Sequence, residues 1–275
     1  MPELPEVETI ARSLKPKLTG LTFTAVRVVL PKIVAKPTDS AVFEVALTGK
    51  SVIDVTRRGK YLLIYLTEGH VLVIHLRMTG SLILSQGKQS SEKHTHITMK
   101  LDNGFLLRYN DPRQFGRVWL LTVEGLAQLA GYKDLGPEPF DPLFSEEYLR
   151  KAMKLRHTRI KPLLLDQTFI AGLGNIYTDE ALYAAGIEPE TKASAIKAKS
   201  VKKLHKSILS VLQEGIDNRG ASIRDYIDGD GQPGNYQNLL KVYGKAGAQC
   251  QKCDATILRK IVGGRSTFYC PDCQR

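Results

Sequence analysis

Three apolar runs lie close together: Val52-Ile53-Asp54-Val55-Thr56, Tyr61-Leu62-Leu63-Ile64-Tyr65-Leu66 and Val71-Leu72-Val73-Ile74-His75-Leu76. Arg57-Arg58-Gly59-Lys60 and Thr67-Glu68-Gly69-His70 separate them. Short runs rich in Val, Ile and Tyr between Gly-containing connectors form strands, because branched side chains fit a pleated surface and Gly supplies the turns. Working outward, Phe43–Leu47, Ile97–Leu101 and Phe105–Tyr109 read the same way, through Thr48-Gly49-Lys50 and Asp102-Asn103-Gly104. The Asn-Gly pair is a strong hairpin signal. No helix is read between these runs, so residues 22–120 are expected to form an antiparallel sandwich or barrel.

A helix leads into this sheet region. Leu4, Val7, Ala11, Leu14 and Leu18 recur at helical spacing, and Pro5 suits a first turn. Glu6 and Glu8 lie where carboxylates complement the helix dipole. Leu135-Gly136-Pro137-Glu138-Pro139 through Pro142 breaks the chain, and beyond it the period becomes helical. Pro162 can open a short helix, Asn175 can cap another ending near Gly186, and Ser200 can cap a long one. Residues 217–238 read as a long loop. The expected class is α+β with two domains: a sandwich over 1–133, a linker over 134–150, a helical domain over 151–240, and a cysteine module over 241–275.

The chain has 275 residues, enough for two domains, and 43% are hydrophobic, as in ordinary globular proteins. Lys plus Arg total 39 against 28 acidic residues, a net charge of +11 that favours a polyanionic partner. With no basic amphipathic helix bearing an aromatic face, nucleic acid is preferred to a membrane. The opening Met1-Pro2-Glu3-Leu4-Pro5-Glu6 lacks the basic start and apolar core of a signal peptide, so a cytoplasmic protein is expected. The only cysteines, Cys250, Cys253, Cys270 and Cys273, form two C-x-x-C pairs. Two such knuckles close a four-thiolate tetrahedron, the pattern of one structural zinc.

The start of the chain is suggestive on chemical grounds. If Met1 is removed, Pro2 offers a secondary amine whose ordinary pKa leaves a useful fraction unprotonated at neutral pH. Such an amine can attack a sugar C1′ and hold it as an iminium, an electron sink for elimination. Pro2-Glu3-Leu4-Pro5-Glu6-Val7-Glu8 resembles the N-terminal signature of the formamidopyrimidine-DNA glycosylases. Arg58-Gly59-Lys60-Tyr61, His75-Leu76-Arg77-Met78, Lys93-His94-Thr95-His96 and Asp111-Pro112-Arg113-Gln114-Phe115-Gly116 follow in that family's order. So do Ile160-Lys161-Pro162, Gly172-Leu173-Gly174-Asn175-Ile176-Tyr177, Val242-Tyr243-Gly244 and the cysteine module, so the likeness spans nearly the whole chain.

The resemblance implies a bifunctional DNA glycosylase and abasic-site lyase. It would remove 8-oxoguanine and formamidopyrimidines, then cut by β,δ-elimination. Its fold would carry a helix–two-turn–helix and a β-hairpin zinc finger. Pro2 would be the nucleophile, and Glu3 the acid that opens the deoxyribose. Lys60 would serve β-elimination or hold a phosphate. Arg265, in Gly263-Gly264-Arg265-Ser266, would serve δ-elimination and grip phosphates, a task that suits a permanent cation better than proton transfer. Met78, Arg113 and Phe115 would fill the void left by an everted nucleotide. His75, His94, Arg156, Lys161 and Asn175 would be further DNA contacts, and Ser222-Ile223-Arg224-Asp225-Tyr226 would cover the everted base. Gln114 departs from the family, where a basic residue is usual. The implied partner is lesion-bearing or abasic duplex DNA, acted on by a bacterial monomer at the nucleoid. Two rivals remain. An endonuclease VIII-like enzyme is disfavoured by Leu4, by Arg113 with Phe115 and by the long loop, and a non-catalytic zinc ribbon leaves Pro2-Glu3 unexplained.

Overall fold

The structure is a computed structural model in which residues 1–86 and 93–275 are described. The chain divides into two units, Met1–Lys133 with Asn218–Asn235, and Asp134–Asp217 with Tyr236–Arg275. Among the described residues, no helix is long and apolar enough to cross a membrane.

The first unit opens with α1 (Leu4–Leu18), as its spacing predicts. Leu4, Val7, Ile10, Leu14 and Leu18 are all buried, each contributing about 1.5–3 kcal/mol of apolar burial. In chain order follow β1 (Phe23–Val28), β2 (Val34–Lys36), α2 (Ser40–Leu47), β3 (Val52–Arg58), β4 (Tyr61–Leu66), β5 (His70–His75), β6 (Ser81–Ser85), β7 (Thr95–Leu101), β8 (Leu106–Asn110), β9 (Arg117–Thr122) and the short α3 (Val123–Leu126). One sheet has the order β1-β7-β8-β6 and the other β2-β9-β5-β4-β3. All neighbours are antiparallel except β2 and β9, which run parallel. A core of Ile10, Leu14, Phe23, Phe43, Ile64, Leu72, Ile97 and Tyr109 joins α1, α2 and both sheets.

The expected strand Phe43–Leu47 is instead the second half of α2. An alternating run of five cannot by itself be told from a helix turn. Phe43 and Leu47 are buried while Val45 is 77% exposed, the face pattern of positions four apart. Asp39 caps this helix by accepting the Ala41 N–H at 2.8 Å.

The loop was expected to accompany the helical domain, but 218–235 belongs to the first unit. Its backbone is tied there: the Leu84 N–H donates to Gly229 O at 2.9 Å, and the Gly229 N–H to Ser13 Oγ at 3.2 Å. Lys17 pairs with Asp230, and Arg219 with the buried Asp228.

The second unit holds α4 (Glu146–Lys154), α5 (Ile160–Leu165), α6 (Asn175–Ala185) and α7 (Ala198–Asp217), then the hairpin β10 (Leu258–Val262) and β11 (Arg265–Tyr269). The expected linker 134–150 is not a free tether. Gly136 N–H donates to Gln167 O, Ala171 N–H donates to Pro137 O, and Ser145 caps α4 through the Tyr148 N–H. Gly174, not Asn175, is the N-cap of α6, and α7 begins two residues before the expected cap Ser200.

Packing of α6 on α7 decides one glycine. A Cβ at Gly215 would lie 2.5 Å from Tyr177 Cε1. That ring is buried and stacked on Tyr236, with centroids 5.2 Å apart, so it has no room to withdraw. Gly215→Ala should therefore lower the melting temperature by several degrees. Overpacking of about 1–3 kcal/mol outweighs the roughly 1 kcal/mol that Ala contributes to a helix interior. An unchanged or raised melting temperature in a thermal melt would contradict this packing.

Candidate functional site

In the first unit, Pro2 and Glu3 are buried, whereas Met1 is exposed. Glu3 is the N-cap of α1 and forms a capping box with Glu6. The Glu6 carboxylate does more than complement the helix dipole. Its Oε2 accepts the Glu3 N–H at 2.7 Å, and its Oε1 accepts the Ala221 N–H at 2.7 Å. The Tyr226 hydroxyl donates to Glu6 O at 3.3 Å. The start of the chain and the loop 218–235 are thus joined through one residue. Glu8 has a different task, accepting from Arg57 Nε at 2.8 Å and Arg12 Nε at 2.7 Å.

Lys60 sits in the two-residue turn between β3 and β4, where Gly59 takes a left-handed φ of 56°. It is buried. His75, opposite Tyr61 across β4 and β5, meets that ring edge-on at 4.7 Å. Burial, reinforced by the charges of Arg77 and Lys60, pushes the His75 imidazole down to about 3. His75 is therefore neutral at physiological pH and contributes no charge to a phosphate. Its Nδ1 accepts the Arg77 N–H at 3.1 Å, which shapes the turn leading to Met78. Lys60 and Arg77 supply the positive field here.

Met78 is 44% exposed and Phe115 50%, so both are available to a ligand rather than part of the core. Arg113 is also exposed, and its guanidinium lies over the Phe115 ring at 4.9 Å. His94 is half-buried. His96 is buried, with Nε2 2.8 Å from Asp111 O, and belongs to no cluster of metal-ligating groups among the described residues.

In the second unit the expected DNA contacts separate into two kinds. Arg265 is exposed and follows Gly263 and Gly264, whose φ values of 55° and 74° make the two-residue turn between β10 and β11. Arg156 is exposed just past the end of α4. Lys161 requires correction. It is fully buried, with Nζ 2.7 Å from Asp179 Oδ1, 2.8 Å from Thr267 Oγ1 and 3.0 Å from Ser266 O. Two of these contacts are hydrogen bonds and the third is a charge contact with Asp179, so the buried ammonium is engaged inside the protein rather than offered at its surface. Sequence reasoning missed this because a lysine beside Pro162 in a basic chain carries no mark of burial.

Lys161 instead seats the hairpin that bears Arg265. Asp179 accepts the Phe268 N–H at 3.0 Å, and Asn175 Nδ2 donates to Ser266 O at 2.9 Å. Pro162 lies beneath the turn, since a Cβ on Gly263 would meet its Cγ at 2.8 Å. Burial pushes the Asp179 carboxyl up to about 7, against the opposing pull of Lys161 and the Phe268 N–H. Val242-Tyr243-Gly244 also proves structural in part: with Lys241, the Val242 and Tyr243 N–H groups donate to the buried Glu180 at 2.9–3.1 Å.

The four cysteine sulfurs lie within 4.8 Å of one another. Zn–S bonds of about 2.3 Å in a tetrahedron require sulfurs about 3.8 Å apart. Cys250 and Cys273 are 3.8 Å apart, Cys253 and Cys270 3.4 Å, and Cys253 and Cys273 3.3 Å. Lys252 N–H points at Cys250 Sγ and Cys273 N–H at Cys270 Sγ, both at 3.4 Å, as expected of thiolate knuckles. Four thiolates complete the coordination, so the zinc is structural and holds no water for chemistry.

Comparison with known proteins finds three domains along the chain, the second of which takes in the first part of the loop. Residues 1–118 match the formamidopyrimidine-DNA glycosylase N-terminal domain, 135–226 the H2TH domain of the same enzymes, and 249–275 the zinc finger found in FPG and IleRS. A formamidopyrimidine-DNA glycosylase of Pelotomaculum thermopropionicum is 52% identical, over all of this chain and 99% of its own. One from Desulforamulus reducens is 49% identical over the same shares. A Lactococcus lactis FPG mutant in complex with Fapy-dG-containing DNA superposes with a TM-score of 0.94, at 39% identity over all of both chains. A second Lactococcus lactis complex, with abasic DNA, has a TM-score of 0.93 at 39% identity over 99% of both.

Lys161→Ala should lower unfolding stability by about 3–5 kcal/mol, because it strands a buried carboxylate. An exposed phosphate-binding lysine would change it by about 0.5 kcal/mol or less. Denaturant unfolding separates the two, and the smaller loss would return Lys161 to the DNA surface.

Proposed function

The chain belongs to the formamidopyrimidine-DNA glycosylase family, and from that premise we propose that it excises oxidised purines from duplex DNA and then cuts the strand. The observation that carries the reading is the Glu6 carboxylate, bound at once to the Glu3 N–H and the Ala221 N–H. It ties the proposed nucleophile segment to the proposed base-covering loop.

With Met1 removed, the neutral Pro2 nitrogen bonds to C1′ as the base leaves with the bonding electrons, and the nitrogen then gives up its proton, which balances the charge on the departing base. Glu3 protonates the ring oxygen, the sugar opens, and the nitrogen is left as an iminium. That electron sink lets the C2′ proton depart and the 3′ phosphate be expelled, and a second elimination releases the 5′ phosphate. Lys60 holds a phosphate or serves the first elimination, and Arg265 grips the phosphates beside the lesion. Both suit the work: Lys60 lies in the positive field around His75, and Arg265 stands exposed on a seated turn.

Met78, Arg113 and Phe115 replace the stacking lost when the nucleotide turns out, and Arg113 reads the orphaned base. Ser222–Tyr226 covers the everted purine. Ser222 Oγ donates to Tyr226 O at 2.7 Å, and Ile223 and Arg224 remain exposed, which supports a preformed cover with free side chains. His94, Arg156 and the start of α6 at Asn175 complete the DNA contacts, the last through backbone N–H groups. Zinc serves only to hold the hairpin that carries Arg265.

A Lactococcus lactis FPG is also known in complex with DNA containing an oxidised pyrimidine, so the test must compare both lesion classes. Single-turnover excision should be faster for 8-oxoguanine and formamidopyrimidine than for an oxidised pyrimidine in the same duplex. Glu3→Gln should slow base excision about a hundredfold or more, and cleavage of a preformed abasic site much less. Faster release of the pyrimidine, or equal losses at both steps, would overturn the assignment.

A further inference from the structure

We propose that Asp111 is the positioning residue of the void-filling group. Its buried carboxylate fixes both turns that present Met78, Arg113 and Phe115, and so sets how well the gap in the duplex is filled. The inference rests on the role given to those three residues under the proposed function.

Asp111 is fully buried just beyond the end of β8. Its Oδ1 accepts the Thr79 hydroxyl at 2.6 Å and the Arg113 N–H at 3.2 Å. Its Oδ2 accepts the Gly116 N–H at 2.8 Å and faces the Tyr109 hydroxyl at 3.4 Å. Thr79 adjoins Met78, and its Oγ1 also lies 3.2 Å from the Arg113 nitrogen. The main chain of Asp111 is held as well: its N–H donates to His94 O at 3.0 Å, and its carbonyl accepts from Gln114 N–H at 3.1 Å and from His96 Nε2 at 2.8 Å.

Each carboxylate oxygen therefore faces one backbone N–H and one hydroxyl. A hydroxyl can rotate and accept; a backbone N–H cannot. An asparagine of the same shape must place its NH2 against either Arg113 N–H or Gly116 N–H, whichever way the amide is turned. The Tyr109 hydroxyl forms the floor of both turns. A Cβ on Gly116 would lie 1.7 Å from it, and one on Gly80 2.8 Å. Arg77 and Gln114, one in each turn, sit at left-handed φ values of 54° and 59°. Non-glycine residues keep that conformation only where their surroundings over-determine it. The three wedge side chains are thus exposed on turns that have little freedom beneath them.

The test compares Asp111→Asn with Phe115→Ala and Arg113→Ala on three readings. These are single-turnover excision of 8-oxoguanine from paired duplex, cleavage of a preformed abasic site, and preference for the base opposite the lesion. Asp111→Asn should lose about tenfold or more on the paired lesion, keep most abasic cleavage, and flatten the opposite-base preference, as the wedge variants do. Thr79→Val, a milder change in the same network, should show the same pattern, and Thr79→Ser should restore it. Gly215→Ala, destabilised elsewhere, should lose activity evenly on every substrate or not at all. If the wedge variants show the pattern but Asp111→Asn and Thr79→Val do not, the positioning role is wrong. It is equally wrong if those two variants lose activity evenly on all three readings. If the wedge variants themselves treat paired and abasic DNA alike, the void-filling assignment fails and this inference falls with it.

Discussion

The Glu6 carboxylate is the constraint on which the candidate site depends. It accepts two backbone N–H groups, one from Glu3 and one from Ala221, the latter 215 positions away in the chain. Both donors are buried beside it, so neither can exchange Glu6 for water without loss. The first residues of a chain usually fray. Here Pro2 and Glu3 are instead buried, begin a helix whose inner face fills the core, and share an anchor with the loop proposed to cover the substrate. An amine used as a nucleophile must be held still, and this arrangement gives the chain start the order that such a role requires.

The second unit solves a similar problem with buried charge. A two-stranded hairpin is marginal in isolation. The hairpin of β10 and β11 is stabilised at one end by four thiolates on zinc, and along its flank by Lys161, Asp179 and Asn175. Placing a fully buried ion pair under a short hairpin costs desolvation, and apolar residues could fill the space. What the pair adds is registry: its hydrogen bonds reach Ser266, Thr267 and Phe268 in sequence, which fixes the direction in which Arg265 leaves the turn. Zinc and ion pair thus act on the same exposed arginine.

Much of this was legible in the amino-acid pattern, for identifiable reasons. The periodic α1, the three runs from Val52 to Leu76 and the cysteine spacing each carry a local signal, and the structure agrees with all three. The Phe43–Leu47 run failed because a five-residue stretch with Phe43, Val45 and Leu47 in alternation fits a strand and a helix turn alike. Lys161 failed because burial is a tertiary property, and its partner Asp179 lies on a different helix. The long loop was recognised as a loop, but its ties to the first unit were not visible, since its anchors, Ser13, Leu84 and Glu6, are distant in the chain. Asp111 and Glu6 stood inside recognised motifs without their tasks being visible. An Asp before Pro suggests a turn, but not that both oxygens serve two turns at once.

The central claim is that the ordered chain start supplies the nucleophile. The most direct measurement is borohydride reduction of the protein bound to lesion-bearing duplex, followed by mass spectrometry of the peptide that carries the reduced sugar. The account predicts a single adduct on the peptide beginning at Pro2, and much weaker trapping in Pro2→Gly protein, which keeps a terminal amine and still binds DNA. An adduct on the peptide containing Lys60 would contradict it.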